Sequence, residues 1–270
     1  MSLPTPSPTT TALVTGTSSG IGVEIARGLV RRGHGVTLLA RRTDRLEELA
    51  TDLRRQGVRV EVLARDLADA AGRATIADEL AERGLAVSVL VNNAGISTLG
   101  PVHRSDPAEE LRMVEVDVAA VVDLCSRFVP GMVERGAGAV LNVASTASFQ
   151  PLPGQAGYGA SKAFVRSYTE ALAVELRGTG VHATVLCPGP VETEFGDVAG
   201  FDADATKETL PSFMWETPQA VADVGLHALA AGRTVAIPGP ANRVLAMASY
   251  LTPKRLLLPL LASQHPGLKD

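Results

Sequence analysis

Short runs of apolar and β-branched residues alternate along this chain with longer stretches whose apolar positions recur every three or four residues. The short runs lie at 12–15, 35–40, 59–64, 87–92, 139–144, 182–187 and 234–238. Near-continuous apolar runs of this length mark strands buried on both faces, and the periodic stretches between them mark helices with one apolar side. Repetition of that unit predicts an α/β fold with a doubly wound, parallel sheet of seven strands. No composition shift, glycine-serine linker or internal repeat divides the chain, so a single domain over 11–270 is expected. The opening, 1–10, is rich in Pro, Ser and Thr and lacks the basic start and apolar stretch of a secretory signal; it reads as a disordered tail. The longest stretch without a clear element begins at Pro188, and its 190–216 portion reads as a lid over a site, because ordinary connections are shorter.

Composition narrows the function classes. Apolar residues make up 46% of the 270 and charged residues 20%, enough for a large core without staples. With 29 acidic and 25 basic residues the net charge is −4, so no overall basic field attracts nucleic acid. Cys125 and Cys187 stand far apart, each in an apolar run that suits a buried thiol, and His34, His103, His182, His227 and His265 share no metal-ligand spacing with them. Neither a disulfide nor a metal site is expected, and the chain reads as cytoplasmic. Pro253, Lys254 and Arg255 interrupt the most apolar region, which excludes a membrane-spanning helix there.

The chemistry gathers where strands end. The first strand runs into Gly16-Thr17-Ser18-Ser19-Gly20-Ile21-Gly22, followed by a helical pattern from Val23 to Val30. Glycines permit a tight turn and close approach to a phosphate, and the helix start supplies free N–H groups and the positive end of its dipole. The second strand ends at Arg41 and Arg42, where a site for NAD would carry a carboxylate against the ribose 2′-hydroxyl; arginines there suit the 2′-phosphate of NADP. Cations at a helix start oppose its dipole, which argues against their being two merely solvated side chains. Asp66-Leu67 follow the third strand and Asn92-Asn93-Ala94-Gly95 the fourth, both at the edge where open α/β sheets bind ligands. After the fifth strand come Ser145, Tyr158 and Lys162; the last two are four apart and share one face of a helix. An ammonium beside a phenol favours the phenolate, so a tyrosine so placed can act as an acid or base.

In this order and spacing, the Gly-x-x-x-Gly-x-Gly turn, Asn92-Asn93-Ala94-Gly95, Ser145, Tyr158-x-x-x-Lys162 and Pro188-Gly189 resemble the single-domain branch of the short-chain dehydrogenase/reductase family, from about Thr11 to Thr193. The resemblance implies a Rossmann-type sheet of order 3-2-1-4-5-6-7, NAD(P) across its carboxyl edge, and hydride transfer between the nicotinamide and a carbonyl or alcohol carbon. It assigns Tyr158 as general acid/base, Lys162 as the residue that lowers its pKa and holds the ribose, and Ser145 as the donor to the substrate oxygen. Gly16, Gly20 and Gly22 match the pyrophosphate turn with Ile21 beside them, Asp66 and Leu67 the adenine contacts, and Asn92 a strand-end contact to the cofactor. Ala94 and Gly95, and Pro188, Gly189 and Val191, line the same edge, and Thr193 matches the residue that holds the carboxamide. One position departs. Where the family often has an asparagine that organises a water for the lysine, this chain has Asp117, which is able to serve that water or to pair with Lys162.

The expected function is therefore NADP(H)-dependent interconversion of a ketone or aldehyde and an alcohol, with NADP(H) preferred over NAD(H). A catalytically weak NADP(H)-sensing protein is the alternative, with Asp117 in its favour; an epimerase or dehydratase on the same fold is a third, against which the glycine spacing speaks. The lid at 190–216 holds seven acidic residues and Phe195, Phe201, Phe213 and Trp215, which either cover a small apolar substrate or anchor the lid on the core. The segment 239–265 has no acidic residue, and Arg243, Lys254 and Arg255 punctuate its apolar residues. Docking on its own or a partner subunit is favoured over enclosing a lipid-like substrate or resting on an anionic membrane surface. By resemblance the chain is a homodimer or homotetramer.

Overall fold

The computed structural model describes residues 3–198, 211–264 and 266–268. Strands β1 (Thr10–Thr15), β2 (Val36–Ala40), β3 (Val60–Ala64), β4 (Ala86–Asn92), β5 (Gly138–Val143), β6 (Val181–Leu186) and β7 (Val235–Ala236) form one parallel sheet in the order β3-β2-β1-β4-β5-β6-β7. Every predicted strand is present with ends shifted by at most two residues. Between them run α1 (Gly20–Val30), α2 (Thr43–Arg54), α3 (Ala70–Ala74), α4 (Ile76–Glu82), α5 (Pro107–Val114), α6 (Ala120–Glu134), α7 (Ala156–Glu175), α8 (Phe195–Val198), α9 (Pro218–Ala230), α10 (Pro240–Leu251) and α11 (Lys254–Gln264).

Alternation along the strands divides the core in two. On β1, Ala12 and Val14 join Ile25, Leu29, Leu46 and Leu226 on one side of the sheet, while Leu13 joins Leu124, Phe128, Val165 and Leu172 on the other. Because both faces are covered by helices, the strands carry apolar residues at successive positions, as their sequence required. The topological reversal between β1 and β4 opens a crevice at the carboxyl edge, where doubly wound sheets bind ligands.

Two expectations change here. Rather than fraying through residue 10, the opening packs Leu3 against the core, turns at Ser7–Thr10, and pairs Thr9 O with Ala86 N at 2.9 Å. Side-chain hydroxyls of Ser7 and Thr10 bond the turn's own backbone, which a Pro/Ser/Thr composition supplies as readily as disorder. The helix after the glycine turn begins at Gly20, three residues earlier than its apolar period showed, since glycines carry no hydropathy signal. The C-terminal segment docks on its own chain: Ala246 is buried, and the Arg166 guanidinium lies 4.2 Å from the Phe149 ring and 5.1 Å from that of Tyr250. Among the described residues no helix is long and apolar enough to cross a membrane, and no group of metal-ligating side chains assembles.

Candidate active site

The glycine turn is built as a cradle. Gly16 and Gly20 adopt φ of 72° and 61°, which L side chains rarely reach, and a Cβ on Gly22 would collide with the Gly16 carbonyl. Thr15 fixes the turn to the end of β4: its hydroxyl accepts from Asn93 N at 2.9 Å and Ala94 N at 3.0 Å, and donates to Val91 O at 3.3 Å. Asn93 Nδ2 donates back to Thr15 O at 2.9 Å. At the start of α1 the Ser19 side chain makes no capping bond, so the first N–H groups face the crevice, and Thr17 Oγ1 is buried without a partner. An anion with several oxygens meets both needs.

Beside the cradle, Arg42 Nη2 donates to Ser18 Oγ at 3.1 Å and Ser18 O at 3.2 Å. Arg45, in the first turn of α2, lies 3.8 Å from Glu194, and Arg42 is bonded to the same carboxylate at 3.0 Å. Arg41 is exposed and helps hold the carboxyl of Asp66 below its usual range, together with the Ala68 N–H and Arg112, which outweigh the upward push of burial. Arg45 and Glu194 escaped the sequence reading. The helical step from Arg42 to Arg45 was available as a signal, but nothing local tied Glu194 to residues so far upstream.

The proton-handling groups come from the end of β5, from α7 and from the turn between α5 and α6. Ser145 starts a 3₁₀ turn (Thr146–Phe149), its hydroxyl accepting from Ala147 N at 3.1 Å. One turn of α7 separates Tyr158 from Lys162, whose Nζ is 5.6 Å from the phenol ring centre. Lys162 is buried and its Nζ lies 2.9 Å from Asp117 Oδ2 and 3.4 Å from Val143 O. Asp117, fully buried, accepts from Ile96 N at 2.8 Å through Oδ1. It reaches this position from a π-helical turn, Glu115–Ala119, wedged between α5 and α6. Gly95 makes room for the pair, since a Cβ there would stand 2.9 Å from Lys162 Nζ and 3.2 Å from Asp117 Oδ2.

Burial sets the electrostatics of this group. It pushes the Asp117 carboxyl up against the pull of Lys162 and the Ile96 N–H. For Lys162 burial disfavours the ammonium, but the charges of Asp117 and Tyr158 outweigh it and raise the pKa. Burial also raises the Tyr158 phenol; Lys162 opposes this, Asp117 adds to it, and a hydrogen bond with Ser145 pulls down. Outside the group, burial holds Cys125 up at about 11 and Cys187 at about 12, as expected of inert core thiols.

Two predicted cofactor contacts point elsewhere. The Asn92 side chain turns into the sheet, donating to Asn142 Oδ1 at 2.8 Å, and Asn142 donates in turn to Thr169 at 2.9 Å. The next residue, Asn93, turns the other way and ties its amide to Thr15 O and Gly16 O of the glycine turn. The Leu67 side chain is buried in the core cluster with Leu63 and Ile76, so of the two side chains only that of Asp66 lies at the edge. Val191 bridges to Glu216, and Gly189 lies against Asn242. Pro188 O accepts from Thr146 N at 2.8 Å. Thr193 lies over the turn, where a Cβ on Gly20 would approach its Cγ2 to 2.9 Å. Phe195 packs on Tyr158 with ring centres 5.8 Å apart, Phe213 is exposed, and Phe201 lies outside the described residues.

Comparison with known proteins gives a consistent result. The profile of the short chain dehydrogenase family matches residues 10–200. The chain is 40% identical over 199 residues to sulfoacetaldehyde reductase 2 of Chromohalobacter salexigens, covering 71% of this chain and 79% of that protein. It is 34% identical over 215 residues to an NADP-dependent 3-hydroxy acid dehydrogenase of Escherichia coli, covering 78% of this chain and 85% of the other. Its fold matches a short-chain dehydrogenase from Sphingobium yanoikuyae solved in complex with NADPH, with a TM-score of 0.78 and 33% identity over 92% of this chain and 95% of that one.

Proposed function

The chain belongs to the short-chain dehydrogenase/reductase family, and from that premise we propose that it is an NADP(H)-dependent oxidoreductase acting on a small apolar ketone or aldehyde and the matching alcohol. The observation that carries the reading is the Ser145, Tyr158, Lys162 group at the mouth of a phosphate cradle with Arg42 held beside Ser18. The E. coli relative is named for NADP and the Sphingobium structure holds NADPH, which supports the same cofactor here.

Gly16 to Gly22, with the α1 N–H groups and Thr17, would hold the pyrophosphate; Arg41, Arg42 and Ser18 the 2′-phosphate; and Gly95, Lys162, Gly189 and Thr193 the nicotinamide half. When bound, NADP(H) supplies or accepts the hydride. Ser145 donates a hydrogen bond to the substrate oxygen and so polarises the carbonyl. Tyr158 transfers its phenolic proton to that oxygen as the carbon is reduced and takes it back in oxidation. Lys162 stabilises the resulting phenolate through its charge, and Asp117 holds Lys162 in place. Phe195 covers the tyrosine with an apolar ring, which supports an apolar substrate and keeps water from the reacting oxygen. In solution the chain pairs with further copies of itself.

One observation favours a second reading. The Asp117 carboxylate opposes the effect of Lys162 on Tyr158, and in a weak, NADP(H)-sensing protein that opposition suppresses turnover. A panel of ketones assayed by loss of NADPH absorbance, with Tyr158→Phe alongside, separates the two. The oxidoreductase reading expects a substrate whose turnover falls ~10²–10⁴-fold in the variant while NADPH binding, followed by fluorescence, persists. NADPH binding with no turnover on any carbonyl would favour the sensor.

A further inference from the structure

Glu194 stands where no catalytic account requires it. Its Oε2 accepts from Nη1 and Nη2 of Arg42, each at 3.0 Å, and its Oε1 lies 3.8 Å from Arg45 Nη2, while Arg42 also holds Ser18. An anion whose oxygens are shared between two arginines is recognised by the same charge-assisted bonds that a phosphate would make. The neighbouring Thr193 lies over Gly20, so two consecutive residues reach the glycine turn and the arginines beside it. Ser18, Gly20, Arg45, Thr193 and Glu194 all line one open cleft of about 510 Å³ at this end of the sheet.

We infer that Glu194 is a cofactor-specificity residue: its carboxylate occupies the arginine clamp that the 2′-phosphate of NADP(H) takes, and the phosphate must displace it. The inference rests on the cofactor reading above. A dinucleotide without the 2′-phosphate brings nothing to displace the carboxylate, so NAD(H) leaves Glu194 on Arg42. A 2′-phosphate carries more charge than the carboxylate and replaces it on the arginines. Glu194 therefore lowers the affinity for NADP(H) below what Arg42 would give without it. Both partners of the pair are about two-fifths exposed, so the competition is modest and salt-sensitive.

The test is titration of wild type, Glu194→Gln, Arg42→Ala and the double variant with NADPH and NADH, and with adenosine 2′,5′-bisphosphate and ADP, which lack the nicotinamide. The expected result is tighter binding of NADPH and of the bisphosphate by Glu194→Gln, roughly three- to tenfold at low salt, with a smaller change for NADH and ADP. The gain shrinks in high salt and vanishes in the Arg42→Ala background. An unchanged NADPH constant, an equal gain for both dinucleotides, or a gain that survives Arg42→Ala would overturn it. Wild type binding NADPH and NADH equally, with Arg42→Ala inert, would overturn it by a different route, because the cofactor reading itself would have failed.

Discussion

At the scale of single residues, Asp117 is the position that sets this chain apart. A neutral amide there would leave the Lys162 charge free to act on Tyr158; the carboxylate neutralises part of it and repels the phenolate directly. The sign follows. Asp117→Asn lowers the Tyr158 pKa, so the limb of the pH–rate profile governed by Tyr158 moves to lower pH. In alcohol oxidation, where the phenolate is the base, the variant gains relative activity near neutral pH, and in carbonyl reduction it loses activity at lower pH than wild type does. The substitution also leaves a buried ammonium without its counter-charge, a loss of about 3–5 kcal/mol in stability if no water or other group compensates. Profiles of kcat/KM against pH in both directions, beside urea melts, check both effects; superimposable profiles would show that the carboxylate does not act on Tyr158.

At the scale of elements, Thr15 joins the glycine turn to the end of β4, and its hydroxyl is what two backbone N–H groups depend on. Thr15→Val keeps the shape and removes the acceptor, leaving Asn93 N and Ala94 N unsatisfied at a cost of about 2 kcal/mol or more. NADPH binding weakens with it, since the cradle loses its tie to the sheet, whereas Thr15→Ser keeps both. Denaturant midpoints and NADPH titration of the two variants test this, and a Thr15→Val protein as stable as wild type would refute it. Much of this level was legible in the sequence. Buried parallel strands have to be apolar at successive positions, so their runs announced the sheet, and the Gly16–Gly22 turn and the Tyr158–Lys162 spacing announced the cradle and the acid/base pair. What stayed hidden depends on contacts between distant segments. The π-helical turn that aims Asp117 leaves no periodic mark, the face of β4 that hid Asn92 hinged on a one-residue register, and Glu194 meets Arg42 only because the chain that leaves β6 returns to the start of α2.

At the scale of the whole molecule, the question is which surface meets a second copy. Among the described residues, two groups of exposed apolar side chains stand on neighbouring helices. One spans the neighbouring helices α5 and α7 through Leu111, Val114 and Phe164; the other, on α10 and α11, shows Leu251, Leu256 and Leu260. A twofold contact sets each surface against its own copy. On the second area such a contact would bring Arg243, Lys254 and Arg255 toward their equivalents with no carboxylate from Gly239 to Leu268 to offset them. On α5 both signs are at hand, Glu109 and Glu110 beside Arg112, so the apolar centre there can be ringed by complementary charge. Self-association is therefore expected through α5 and α7. Light scattering should show the mass of the assembly falling when Leu111 and Phe164 are both changed to Glu, and staying the same when residues 256–270 are deleted. The reverse pattern would place the contact on the C-terminal helices and make their exposed leucines the subunit interface.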